Sequence, residues 1–164
     1  MDGEELKRAL QDLFESQVMN HGDYSRVYAQ SIGPGPDLVL GYRRTSLELV
    51  LCPVEAQPGT RRGEGKDMVR QAGPVSSIDL TNVATVADTG TGYRVQTVTG
   101  FRAWFEVTGT LPIPGAVATD MVVLEQDEDA EDFHQFMGHF MDVLDAFYHV
   151  PDTIESLRTL PASA

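Results

Sequence analysis

Two spacings of apolar residues share this 164-residue chain, and each predicts a different kind of element. Leu6, Leu10, Leu13, Phe14 and Val18 recur every three or four positions, which gathers them on one side of an α-helix. Asp2 and Glu5 stand ahead of them at capping-box spacing, and Asn20-His21-Gly22 supplies residues that tolerate a left-handed cap. The pattern predicts a helix from about Gly3 to Met19. At the other end, Phe133, Phe136, Met137, Phe140, Leu144, Phe147 and Tyr148 form one apolar stripe within residues 129–150. The opposite arc carries His134, Gln135, Gly138, Asp142, Asp145 and His149. Pro151 is expected to stop this helix, because its ring removes the amide donor and crowds the preceding turn. Residues 152–157 are expected to add a turn, and the tail 160–164 to fray.

Between the helices the period falls to two. Strands are expected at Asp23–Ile32, Asp37–Arg43, Ser46–Val54, Ser76–Val86, Tyr93–Thr99, Arg102–Thr108 and Val117–Glu125. Gly33-Pro34-Gly35-Pro36, Arg43-Arg44-Thr45, Thr89-Gly90-Thr91-Gly92 and Gly100 read as turns. Leu111-Pro112-Ile113-Pro114-Gly115 reads as a rigid connector, since each proline fixes φ. Glu55–Gly73 is rich in glycine and charge. It is read as one long irregular stretch, with 57–67 a flexible loop and a helical turn near Asp67–Gln71.

The element order predicts one α+β domain over 1–164. An N-terminal helix precedes a bent antiparallel sheet of about seven strands, or a small open barrel, and a long amphipathic C-terminal helix packs on it. Seven short strands closed by one such helix resemble the plan of pleckstrin-homology-like domains, at the level of architecture and with the first helix added. Size, acidity and a helix at each end are also similar to small chaperones of bacterial secretion systems. Those usually have fewer strands, and a central helix where this chain has its irregular stretch.

Charge narrows the partners. Twenty-five acidic residues against 12 Lys and Arg leave a net −13, a field that repels phosphate backbones and anionic membranes. Nucleic acid and membrane insertion are therefore not expected; a basic protein partner, or simple solubility, fits the charge better. No run of 18 apolar residues occurs and no leader pattern opens the chain, so the cytoplasm is the expected location. The single cysteine, Cys52, excludes an internal disulfide. Its apolar surroundings, LELVLC, predict a buried, inert thiol.

Candidate chemistry is sparse. The loop Gly59–Asp67 resembles a phosphate loop only in part: Thr60 stands where a glycine is needed, and Asp67 where Ser or Thr would hold magnesium. Its Arg61, Arg62 and Lys66, with Arg70, still form the one dense basic run, fit to dock an acidic partner or the chain's own segment 125–132. His134 and His139 diverge by about 140° around a helix, so they make no metal pair. His139 with Asp142, or Asp145 with His149, has workable spacing but offers only two ligands. The acidic run Glu125–Asp132 lacks the order of a calcium loop and reads as helix capping. No nucleophile motif occurs. Trp104 and Phe105 are adjacent on a strand, so they point to opposite faces of the sheet. The face the last helix does not cover is the candidate binding surface, with Trp104 on it.

These readings predict a non-enzymatic protein-interaction module, chaperone-like in size and charge. Its candidate surface is Arg61, Arg62, Lys66, Arg70 and Trp104. It has no assigned catalytic, cofactor or metal residue, and a homodimer is allowed. A small-ligand carrier with a pocket between sheet and helix is the alternative. An enzyme using dispersed His, Asp and Glu residues is a further one.

Overall fold

The first helix forms where capping and periodicity agree. In the computed structural model, which describes residues 2–56, 69–114 and 121–159 with side chains as far as Tyr148, α1 spans Gly3–Gln17. The Asp2 carboxylate accepts the Glu5 amide at 2.8 Å, and Glu5 reaches back to the Asp2 amide at 3.3 Å. After a 3-10 turn at His21–Asp23 come β1 (Ser25–Ser31), β2 (Asp37–Arg43), β3 (Glu48–Ala56), β4 (Val69–Gln71) and β5 (Ser76–Asp79). Then follow β6 (Val83–Asp88), β7 (Tyr93–Thr97), β8 (Arg102–Glu106), β9 (Thr110–Pro114), β10 (Met121–Glu125) and α2 (Asp127–Thr159).

Eight strands make one antiparallel sheet in the order β4-β3-β2-β1-β8-β7-β6, with β5 also pairing β3. The sheet is open, bounded by β4 and β5 at one end and β6 at the other. The fold class predicted from the pattern is thus the observed one. β9 and β10 form a separate two-stranded ribbon.

The sheet bends at β1. Ser25–Ala29 pair with β2, whereas only Gln30 and Ser31 pair with β8, opposite Glu106 and Phe105. Where β8 has diverged, a buried glutamine replaces it. The Gln126 amide accepts the Tyr28 N–H at 2.8 Å and donates to the Tyr28 carbonyl at 2.8 Å and the Thr108 carbonyl at 2.9 Å. A side-chain amide carries the same donor and acceptor as a peptide, so one residue supplies the missing rung.

Each face of the sheet has its own core. On one, α2 lays Phe133, Phe136, Met137, Phe140 and Leu144 against Val27, Leu40, Tyr42, Leu51, Val95 and Phe105. On the other, Leu6, Leu10 and Phe14 of α1 and Leu111, Ile113, Val122 and Leu124 of the ribbon cover Val39, Val50, Cys52 and Val54. Gly41 has to be glycine here, because a Cβ would overlap the buried Phe14 ring. Cys52 is fully buried, and burial pushes its thiol up to about 11, as an inert thiol requires.

Several elements differ from their sequence patterns. The run Ser76–Val86 is two strands, because the Asp79 carboxylate bonds the Thr81 amide and hydroxyl at 2.8 and 2.5 Å and turns the chain. These bonds, the Thr81 hydroxyl's foremost, hold the Asp79 carboxyl below its usual range. Val69–Gln71 is a strand rather than a helical turn, zipped to Val54–Ala56. The expected connector 111–115 is largely strand β9. Pro112 and Pro114 lie opposite Val123 and Met121, and the buried Leu111 and Ile113 alternate with them. Lacking N–H groups, the prolines occupy positions that donate nothing to the ladder, so the ribbon loses no bond. Pro151 does not end α2, whose 33 residues continue to Thr159. The stripe is buried only to Leu144; Phe147 and Tyr148 are 56% and 54% exposed. The flexible-loop expectation for 57–67 and the frayed tail 160–164 lie outside the described residues.

Candidate interaction surface

Strand alternation puts Tyr93, Val95 and Phe105 into the α2 core, and therefore sends Arg94, Gln96, Arg102, Trp104 and Glu106 to the opposite face. Thr85 and Ala87 of β6 join that face, opposite Gln96 and Arg94. Neither α1 nor the ribbon core includes a residue of β6, β7 or β8. Among the described residues this half of the sheet is covered on one side only.

Arg94 and Trp104 are direct cross-strand partners, as are Gln96 and Arg102. The Arg94 guanidinium carbon lies 4.3 Å from the indole centroid, a cation–π contact across the strand pair. Trp104 also donates its indole N–H to the Thr89 hydroxyl at 3.4 Å. Trp104 is half-buried, while Arg94 and Arg102 are exposed. Among the described residues neither arginine has a carboxylate within 4.0 Å, in contrast to Lys7, Arg43, Arg44 and Arg70, which do. Two uncompensated cations flanking an indole thus occupy an open sheet face of an acidic chain.

Of the five residues expected to form a surface, Arg61, Arg62 and Lys66 lie outside the described residues. Arg70 is on β4, in an exposed ion pair with Glu55 at 3.0 Å on the neighbouring strand. Trp104 is on β8. The order β4-β3-β2-β1-β8 puts four strand spacings, roughly 19 Å, between them, so the sheet does not bring Arg70 and Trp104 together. The neighbours the sheet does give Trp104 are Arg94 and Arg102, which the sequence reading did not single out. The alternation in Tyr93-Arg94-Val95-Gln96-Thr97 carried their signal, since it places Arg94 opposite the core.

Other polar groups serve the fold. His134 is exposed on α2, yet its ring is engaged: its Nε2 lies 3.1 Å from the Val107 carbonyl, which can only accept, so that nitrogen carries the hydrogen. In that tautomer Nδ1 accepts from the Tyr93 hydroxyl at 2.7 Å, latching α2 to β7. Asp132 receives the Arg44 fork at 3.0 and 3.4 Å and the Tyr42 hydroxyl at 2.7 Å. Both partners, Arg44 first, hold its carboxyl below the usual range. Glu48 accepts from Arg43 at 2.9 Å, from Tyr24, and from Ser77. Among the described residues no three His, Cys, Asp or Glu side chains converge as a metal set.

A cleft of about 230 Å³ opens between α1, β1 and the start of α2, lined in part by Lys7, Arg26, Gln126 and Asp129. Its lysine is held by the Glu125 carbonyl at 3.2 Å and by Asp129 at 3.6 Å, and its glutamine is spent on the bend. Between α2 and the sheet, by contrast, buried rings meet edge-on or tilted. The pairs among Tyr42, Tyr93, Phe105, Phe133, Phe136 and Phe140 have centroids 4.9 to 6.2 Å apart. No helix among the described residues is long and apolar enough to cross a membrane. No protein-family model matches the chain, and neither the curated proteins nor the solved structures contain a match.

Proposed function

We propose that this chain is a non-enzymatic protein-interaction module of the cytoplasm, chaperone-like in being small and acidic, and that it binds its partner through the open face of β6–β8. One observation carries the reading. An indole and two unpaired arginines lie side by side on a half-sheet that no described element covers, although every other sheet face has its own apolar layer. Aromatic rings and arginines are the side chains most enriched where binding energy concentrates in protein interfaces. A ligand-carrier reading is weakened because aromatic rings fill the space between sheet and α2 where its pocket was expected. An enzyme reading is weakened because His134, Asp132 and Glu48 are each committed to hydrogen bonds that hold elements together.

The test is affinity capture from the source cells with the whole chain and with Trp104→Ala and Arg94→Ala variants. A partner retained by the parent and lost from both folded variants supports the reading. A partner that survives both substitutions, or a specific small metabolite recovered with the purified protein, would count against it.

A further inference from the structure

We infer that the segment seated on this face is an acidic polypeptide. The inference rests on the interaction reading above and adds the chemistry of the partner. The argument is local charge. Of the eight lysines and arginines whose side chains are described, four are neutralised by carboxylates within 4.0 Å, and Arg8, Arg26, Arg94 and Arg102 are not, although the chain has 25 acids to draw on. Of these, Arg94 and Arg102 share one face on adjacent strands. The one carboxylate of that face, Glu106, sits four residues along β8 from Arg102, about 13 Å away in an extended strand.

Arg94 has its guanidinium carbon 4.3 Å from the Trp104 ring centroid, a contact that restrains the donor fork instead of letting it sweep through solvent. A fork held in place loses less freedom when it grips a carboxylate, and guanidinium geometry matches carboxylate oxygens in pairs. A basic segment would meet both arginines head-on. The net −13 of the chain opposes an acidic partner at long range, but physiological salt screens charges beyond about 8 Å, whereas contact pairs on a partly covered face are screened far less. The same charge disfavours a nucleic acid strand: its phosphates would have two cations to set against that field, too few for the counterion release that drives such binding.

Trp104 is the only tryptophan of the chain, so its fluorescence reports directly on this face. The whole chain is titrated at physiological salt with a short peptide alternating Glu and Val, with the same peptide carrying Lys for Glu, and with a short single-stranded DNA. The expected result is a saturable change of emission with the Glu peptide alone. The apparent affinity should fall about tenfold or more in Arg102→Gln, the loss of one charge-assisted contact. Arg94, not Arg102, is the cation over the indole, so the Arg102 variant keeps that contact; Arg94→Gln is the second variant, and both are checked for an unchanged melting temperature and an unchanged emission without peptide. A response to the Lys peptide or to DNA instead, or equal affinity in both variants, would overturn the inference. So would a change of emission with protein concentration alone, which would make the occupant a second copy. If no peptide responds while partner capture still depends on Trp104, the interaction reading stands and the acidic partner falls.

Discussion

Gln126 shows how much of this fold turns on single side chains. It is 4% exposed, and its amide closes three hydrogen bonds where two strands part. Gln126→Ala leaves a buried N–H and two buried carbonyls short of partners, and should cost about 1–3 kcal/mol in urea unfolding at neutral pH. Gln126→Glu is more telling. A carboxylate can still accept from Tyr28 but can donate to neither carbonyl, so this variant should be the weaker of the two at pH 7 and recover part of the loss in acid, where it regains a proton. Equal stability of Gln126→Ala and the parent would mean that the rung is dispensable. Nothing in the local sequence announced this role. Gln126 sits in an acidic run that reads as helix capping, and its partner Tyr28 is 98 positions away. Arg94 was legible by contrast, because its orientation follows from the pleat alone once Tyr93 and Val95 are known to be buried.

At the scale of elements, α2 separates what periodicity can and cannot say. The stripe from Phe133 onward was readable as one face of a helix, and the sheet beneath it was expected. The point at which the sheet ends was not readable, because a helical period continues whether or not anything lies under it. Phe140 is fully buried and Phe147 more than half exposed, on the same stripe seven residues apart. Phe140→Ala should cost about 3–5 kcal/mol, whereas Phe147→Ala should change stability by about 0.5 kcal/mol or less. Urea melts of the two variants decide it, and comparable losses would place Phe147 under cover. The ribbon is the converse case. Two prolines in five residues argued for a connector, yet an edge position has no ladder bond to lose there, and the leucine and isoleucine between them follow the strand period.

For the whole molecule, buried phenols set the upper pH limit. Burial foremost, and the Asp37 and Asp132 carboxylates that accept from Tyr28 and Tyr42, push those two hydroxyls well above the ordinary tyrosine range. Burial, with the nearby Asp88, raises Tyr93 to about 12. A group whose folded pKa lies above its unfolded value contributes stability that is complete below the unfolded value and lost as pH rises through the folded one. For Tyr93 that window runs from about pH 10 to about pH 12. The chain should unfold across it, with phenolate absorbance and loss of helical circular dichroism rising together. Absorbance that rises completely while the helical signal persists would show that these phenols ionise without breaking the fold.

The ribbon of β9 and β10 also bears on how copies of the molecule meet. Its outer surface carries Met121 and Val123 across from the exposed Pro114 and Pro112, an apolar strip of the sort that invites aggregation. Fibril growth needs more than grease; it needs a strand edge able to hand its amide hydrogens to the next chain. On the free edge of β9 the two positions that would do so are prolines, and the edge cannot template a further strand there. Copies that meet through this strip therefore have no β9 edge along which a further strand could be added at Pro112 and Pro114.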